Sequence, residues 1–157
     1  MSILEGALLT GLFFLLFITL VLLRNRFQFK GIADMNRATD TELSVAVCIP
    51  ARNEEAVIRS CLDHALSQTY RNTKVYVLDD RSTDGTPQIL KQYQELYPDK
   101  IIVKRGTERP EGWLGKPYAC HQLSRLVSED LLIFIDADTW MQPDVVSKTV
   151  GAFNSSN

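Results

Sequence analysis

Three polar stretches could do chemistry, and each directly follows an apolar run. The first is Pro50-Ala51-Arg52-Asn53-Glu54-Glu55. There, backbone N–H groups at a helix start, set beside polar side chains, form an arrangement able to hold a nucleotide. The second, Asp79-Asp80-Arg81-Ser82-Thr83-Asp84-Gly85-Thr86, packs three carboxylates and three hydroxyls into eight residues. Asp84-Gly85 also reads as an ordinary turn. Asp79 and Asp80 continue an apolar strand into paired like charges, which costs stability unless something outside the strand meets them. The third is Asp136-Ala137-Asp138. Its two carboxylates can turn toward one site, where hard oxygen ligands suit Mg²⁺ or Mn²⁺ and a diphosphate would supply further oxygens.

A fourth stretch, Gly112-Trp113-Leu114-Gly115-Lys116-Pro117-Tyr118-Ala119, reads as a flexible loop presenting Lys116 at a helix start. An ammonium and backbone amides could meet a diphosphate there. The competing reading is a solvated lysine and a tryptophan that closes the core. His64 and His121 fall in helical patterns where packed or surface histidines are commoner than catalytic ones. Cys48, Cys61 and Cys120 lack C-x-x-C spacing, which argues against a zinc site or disulfide framework and for reduced core residues.

The elements that must carry these stretches alternate. SVAVCIP is a β-branched run closed by Pro50, as in a strand buried on both faces of a parallel sheet. Asn53 is expected to cap the next helix, with Glu54 and Glu55 in its first turn and Val57, Ile58, Cys61, Leu62, Ala65 and Leu66 on its apolar face. Strand KVYVL, a helix from about Thr86, strand KIIVK, a helix near Lys116 to Val127 and strand LLIFI come next. Pro143 opens a last helix, with Asp144 expected in its first turn. The pattern predicts an α/β domain with a mostly parallel, Rossmann-like sheet and a ligand beyond the carboxyl ends of its strands.

From Gly6 to Leu23 the chain carries no charge, and about 18 apolar residues suffice to cross a bilayer as one transmembrane helix. Met1 to Glu5 has no basic residue and the apolar run leads into LLRNRFQFK, so a retained anchor fits better than a cleaved signal. Arg24, Arg26 and Lys30 place the remainder of the chain in the cytoplasm, giving a single-pass membrane protein with a cytoplasmic domain. The expected organisation is an anchor at 1–26, a linker at 27–43 and a nucleotide-sugar-binding region at 44–157. The 157 residues leave no room for a second full domain, and a net charge of −2 with interspersed acids and bases gives no polybasic face for nucleic acid.

Taken in order, P-x-x-N-E, D-D-x-S-x-D-x-T and D-x-D resemble the motifs of family-two glycosyltransferases, over roughly residues 44–150. The stretch from Gly112 to Ala119 is similar to the G-W-x-G-K-x-x-A segment of membrane-associated members linked to carotenoid or hopanoid lipids. The resemblance implies a GT-A fold and inverting transfer of a sugar from a nucleotide-diphosphate donor, assisted by Mn²⁺ or Mg²⁺. It implies that Ala51, Arg52, Glu54 and Asp80 surround the base and ribose. Lys116 would meet the diphosphate, Asp136 the sugar-nucleotide and Asp138 the metal. A membrane lipid is the implied acceptor.

Inverting transfer also needs a carboxylate base, which the family places well downstream of D-x-D, and no acid after Asp138 suits that role. The chain is therefore expected to be a truncated front half that lacks the base and acceptor region. An incomplete sheet is expected to expose a strand edge and apolar surface. Two other readings compete. A nucleotidyltransferase would carry a glycine-rich phosphate loop where this chain has PARNEEA. A non-catalytic, membrane-tethered nucleotide-sugar-binding or interaction module needs no base.

Overall fold

The computed structural model describes residues 3–28 and 43–155. The first segment is one helix, α1 (Ile3–Gln28). Its 26 residues give roughly 39 Å at 1.5 Å per residue, more than the ~30 Å of a hydrocarbon layer. Glu5–Arg26 contains an 18-residue stretch with a mean hydropathy of 2.6 and is long and apolar enough to cross a membrane. Its two threonines bond within the helix. Thr10 Oγ1 donates to the Gly6 carbonyl at 2.9 Å, and Thr19 Oγ1 to that of Leu15 at 2.8 Å. The linker expected at 27–43 lies, except at its ends, outside the described residues.

The remainder is a separate compact unit. Its strands are β1 (Val45–Ala51), β2 (Thr73–Asp79), β3 (Ile101–Arg105) and β4 (Leu131–Phe134). Its helices are α2 (Ile58–Leu66), α3 (Thr86–Leu96), α4 (Gly115–Leu126) and α5 (Val145–Ser155). The four strands form one parallel sheet in the order β3-β2-β1-β4. Successive side chains of β1 point to opposite faces, and both faces are covered, so the strand carries no polar residue from Val45 to Ile49. Val45, Val47 and Ile49 pack with Ile58, Leu62, Leu90 and Val146 on one side. Ala46 and Cys48 pack with Tyr76, Leu78, Ala119 and Leu123 of α4 on the other. The result is a three-layer α/β arrangement, as the alternation predicts.

Burial pushes the Cys48 thiol up to about 12 and the Cys61 thiol to about 11, which leaves both as unreactive packing groups. At the β4 border, Leu132 and Phe134 stand on the α4 side of the sheet and remain exposed.

Two local expectations need correction. Asn53 does not cap α2. It sits in the left-handed region (φ 57°), residues 54–57 form a turn, and α2 begins at Ile58 after an N-cap at Val57 that makes no side-chain cap bond. Asp144 precedes α5, which starts at Val145, and its carboxylate is held at 3.0 Å by Lys148.

Candidate functional site

The direction of the chain reverses across β1. From β1 the sheet grows through β2 to β3 on one side, whereas β4 joins on the other. Loops leaving β1 and β4 therefore part above the sheet, and open parallel sheets bind ligands in such a crevice. A cavity of about 290 Å³ opens there, lined by Pro50, Ala51, Arg52 and Glu54 after β1, Asp80 after β2, and Asp136, Ala137 and Asp138 after β4. Gly115, Lys116 and Ala119 of α4 form its remaining wall. The seven residues that the resemblance assigns to donor and metal, Ala51, Arg52, Glu54, Asp80, Lys116, Asp136 and Asp138, all line this one cleft.

The loops after β1 and β2 are tied together by their own polar groups. Asn53 N–H donates to Ser82 Oγ at 2.9 Å, and Asn53 Oδ1 accepts from Thr83 N–H at 2.8 Å. Glu54 N–H donates to Thr86 Oγ1 at 2.9 Å, and Glu55 N–H to Asp84 Oδ2 at 3.1 Å. In return the Glu55 carboxylate accepts from Gly85 N–H at 2.8 Å. A Cβ on Gly85 would lie 2.5 Å from that carboxylate, so this glycine serves a close approach and not a special φ. Asp79, expected to need a partner outside the strand, has one inside the loop, because Ser82 N–H donates to its Oδ1 at 2.9 Å. Desolvation would raise the Asp84 carboxyl, but hydrogen bonds from Thr86 and from the Glu55 amide outweigh it and hold the group below its ordinary value.

With those groups engaged in the brace, the side chains left facing the cleft are the charged ones. Arg52 Nη1 lies 3.6 Å from Asp80 Oδ2. Lys116 Nζ lies 2.6 Å from Asp136 Oδ1, and this hydrogen bond, with the nearby carboxylate charge, raises the lysine above its ordinary pKa. Both pairs are open to water on at least one side, so they contribute little to stability and are free to exchange partners. Ala137 is buried between two exposed aspartates, which turns Asp136 and Asp138 outward together. Among the described residues no three side chains of metal-ligating type converge. Two hard carboxylates lining one cavity suit a divalent cation that takes its remaining oxygens from water or a bound ligand.

Sequence reasoning passed over Pro50 and Ala137 as lining residues. Ala137 could have been found from the i, i+2 spacing of its neighbours at a strand end. The Trp113 side chain does not close the core. It is 40% exposed and packs against Tyr118 and His121, with ring centroids 5.5 and 5.1 Å away. His64 Nδ1 lies 2.8 Å from the Ser60 carbonyl within α2, away from the cleft.

A parallel sheet of this order, with a crevice at its reversal point, is an α/β domain, and its family and solved neighbours make it a truncated GT-A fold. Residues 46–157 match Glycosyl transferase family 2, and the chain belongs to that family. It is 35% identical over 105 residues to a 4,4'-diaponeurosporenoate glycosyltransferase of Staphylococcus haemolyticus, across 67% of this chain and 27% of the relative. It is 33% identical over 113 residues to a beta-monoglucosyldiacylglycerol synthase of Synechocystis, across 71% of this chain and 23% of that protein. The chain therefore spans about a quarter of the length of these relatives.

Among solved structures, the mannosyltransferase PcManGT of Pyrobaculum calidifontis, in complex with GDP-Man and Mn²⁺, superposes with a TM-score of 0.66 at 28% identity. That match covers 81% of this chain and 36% of the other. Residues 1–349 of S. aureus TarS, in complex with UDP-GlcNAc, superpose at 0.58 with 26% identity over 73% of this chain and 32% of the other.

Proposed function

We propose that this chain carries the donor-binding part of a membrane-anchored glycosyltransferase that transfers a sugar from a nucleoside-diphosphate sugar to an acceptor. One observation carries the reading: the ends of three adjacent strands, β2, β1 and β4, and the first turn of α4 bring Arg52, Glu54, Asp80, Lys116, Asp136 and Asp138 to one cleft at the reversal point of the sheet. Ala51, Arg52, Glu54 and Asp80 are assigned to the base and ribose. Lys116 is assigned to the diphosphate, in exchange for its bond to Asp136, and Asp136 to the sugar-nucleotide. Asp138, with the diphosphate oxygens, is assigned to Mn²⁺ or Mg²⁺, a choice supported by the Mn²⁺ in the PcManGT complex. Such an ion, when bound, stabilises negative charge developing on the departing nucleoside diphosphate.

The cleft residues bind and orient the donor, and the brace between the two loops keeps Arg52, Glu54 and Asp80 in register. No residue of this chain is assigned as the general base, since Asp144, the one acid after Asp138, is committed to Lys148. In the organisation proposed, residues 1–26 anchor the protein, 27–43 link, and 44–157 bind the donor on the cytoplasmic side. A lipid acceptor is supported by the diacylglycerol named in the Synechocystis relative and by the apolar α1. The second reading, donor binding without transfer, draws on the engaged state of Asp144.

Titration of UDP-glucose, UDP, GDP and GDP-mannose against the detergent-solubilised chain, with and without Mn²⁺, tests the donor site. Metal-dependent binding that disappears in Asp138→Ala is expected. Folded protein that binds none of the four overturns the reading.

A further inference from the structure

A second concave surface lies on the β3 side of α4. It encloses about 340 Å³, and its polar lining is Lys104 and Arg105 at the end of β3, Thr107, and Tyr118, His121, Gln122 and Arg125 of α4. No residue lines both this groove and the donor cleft, and no carboxylate lines the groove. Five cations of the α/β unit have no hydrogen-bond or ion-pair partner among the described residues: Arg71, Lys100, Lys104, Arg105 and Arg125. Three of the five line this one groove. Glu108, the acid nearest in sequence to Arg105, is directed at Arg81 instead, at 3.9 Å. Lys104 stands level with Leu78 on the α4 side of the sheet, and Arg105, the next residue, only borders the groove, so Lys104 and Arg125 supply its side-chain cations. Like charges in a concave surface repel one another and focus a positive potential unless an anion joins them.

The groove floor is set in advance. Gln122 Oε1 accepts from Thr107 N–H at 2.8 Å and from Thr107 Oγ1 at 2.9 Å, and the Tyr118 hydroxyl meets Thr107 Oγ1 at 3.0 Å. These bonds pin the chain just beyond β3 to α4. Tyr118 in turn stacks with His121, and Trp113 closes against both rings. The cations at the rim therefore project from a fixed floor, which lowers the ordering cost of gathering them around a ligand.

We propose that this groove is a phosphate-binding site, distinct from the donor cleft, which takes a phosphate group through Lys104 and Arg125. Guanidinium groups bind phosphate oxygens in bidentate fashion, and an ammonium adds a point charge. A phospholipid head group and a soluble phosphate ester present the same chemistry.

The detergent-solubilised chain is titrated with inorganic phosphate and with glycerol 3-phosphate by calorimetry. In parallel, hydrogen exchange is followed at residues 104–107 and 121–126. Binding is expected to persist in Lys116→Ala, which alters only the donor cleft, and to weaken at least about tenfold in the Lys104→Ala/Arg125→Ala double variant. Both replaced side chains are exposed, so that variant is expected to keep its unfolding midpoint. The chain is then placed in phosphatidylcholine nanodiscs with or without phosphatidylglycerol. Slowed exchange in the groove with phosphatidylglycerol alone identifies a head group as the source, whereas slowing only on addition of soluble phosphate identifies a free ester. The proposal is overturned if folded wild-type protein shows neither, or if phosphate binding vanishes in Lys116→Ala and persists in the double variant.

Discussion

The two faces of α4 border sites of opposite electrostatic design. On one side the cleft proposed for the donor mixes signs, with Glu54, Asp80, Asp136 and Asp138 set against Arg52 and Lys116. On the other side the groove beside β3 carries Lys104 and Arg125, is bordered by Arg105, and has no acid. Mixed charge lets the cleft offset part of its charge through the Lys116–Asp136 and Arg52–Asp80 pairs, leaving the carboxylates of Glu54 and Asp138 without a cation there. A ligand entering it must bring both signs, as a metal and a diphosphate together do. The groove has no internal counter-charge, so a bare anion suffices. One helix thus separates a site that exchanges partners from a site that lacks one.

Because both sites lean on α4, a change beneath that helix is expected to harm them together. Leu123 is fully buried against Ala46, Cys48 and Leu78, and Leu123→Ala is expected to cost about 2–5 kcal/mol in chemical denaturation and to weaken ligand binding on both sides. Loss at one site alone would show that α4 is not a shared wall. Asp138→Ala should separate the two, lowering donor affinity in Mn²⁺ at least about 100-fold by calorimetry and leaving phosphate affinity unchanged. A direct ligand should matter no less than the outer-shell groups whose loss costs about 10–100-fold.

Gly85→Ala acts on the brace and not on α4. Its methyl displaces the Glu55 carboxylate from Gly85 N–H, with an expected cost of about 1 kcal/mol in urea unfolding and weaker donor binding, while the groove is untouched. The smallest effect expected is on pH dependence. Asp84 and Asp130 are held below their ordinary value of 3.8, Asp84 chiefly by hydrogen bonds from Thr86 and then from the Glu55 amide, and Asp130 chiefly by the Ser44 amide and hydroxyl. A carboxyl lowered on folding stabilises fully above its unfolded pKa, and that contribution drains away as pH falls through the folded one. The thermal midpoint should therefore hold near neutrality and decline below about pH 4, with a shallower decline in Asp84→Asn.

Much of the donor cleft was legible in the sequence. Asp80, Asp136 and Asp138 stand out because carboxylates abruptly end apolar strands, and Lys116 because a Gly-Lys pair opens a helix. The interior of the second loop was less legible. Asp79 and Asp80 look alike in sequence, yet one is engaged by Ser82 N–H and the other lines the cavity. Which carboxylate folds back depends on the path of the chain through Arg81, which lies in the left-handed region at φ 57°. Asn53 has the residue type of a helix cap, and its amide oxygen was taken instead by Thr83 N–H of the neighbouring loop, a partner 30 residues away.

The phosphate groove left no trace at all. Lys104, Arg105 and Arg125 are spread over two elements within a chain of net charge −2, and only the packing of α4 beside β3 gathers them. By itself the sequence determined the alternation of strands and helices, the apolar helix at the start of the chain and the identity of the acids at the strand ends. Each is a local matter of period, hydropathy and residue type. The tertiary structure alone decided which polar groups satisfy one another and which are left for a ligand, because hydrogen-bond partners and charge clusters are chosen among residues that are distant along the chain and adjacent only after the sheet has formed.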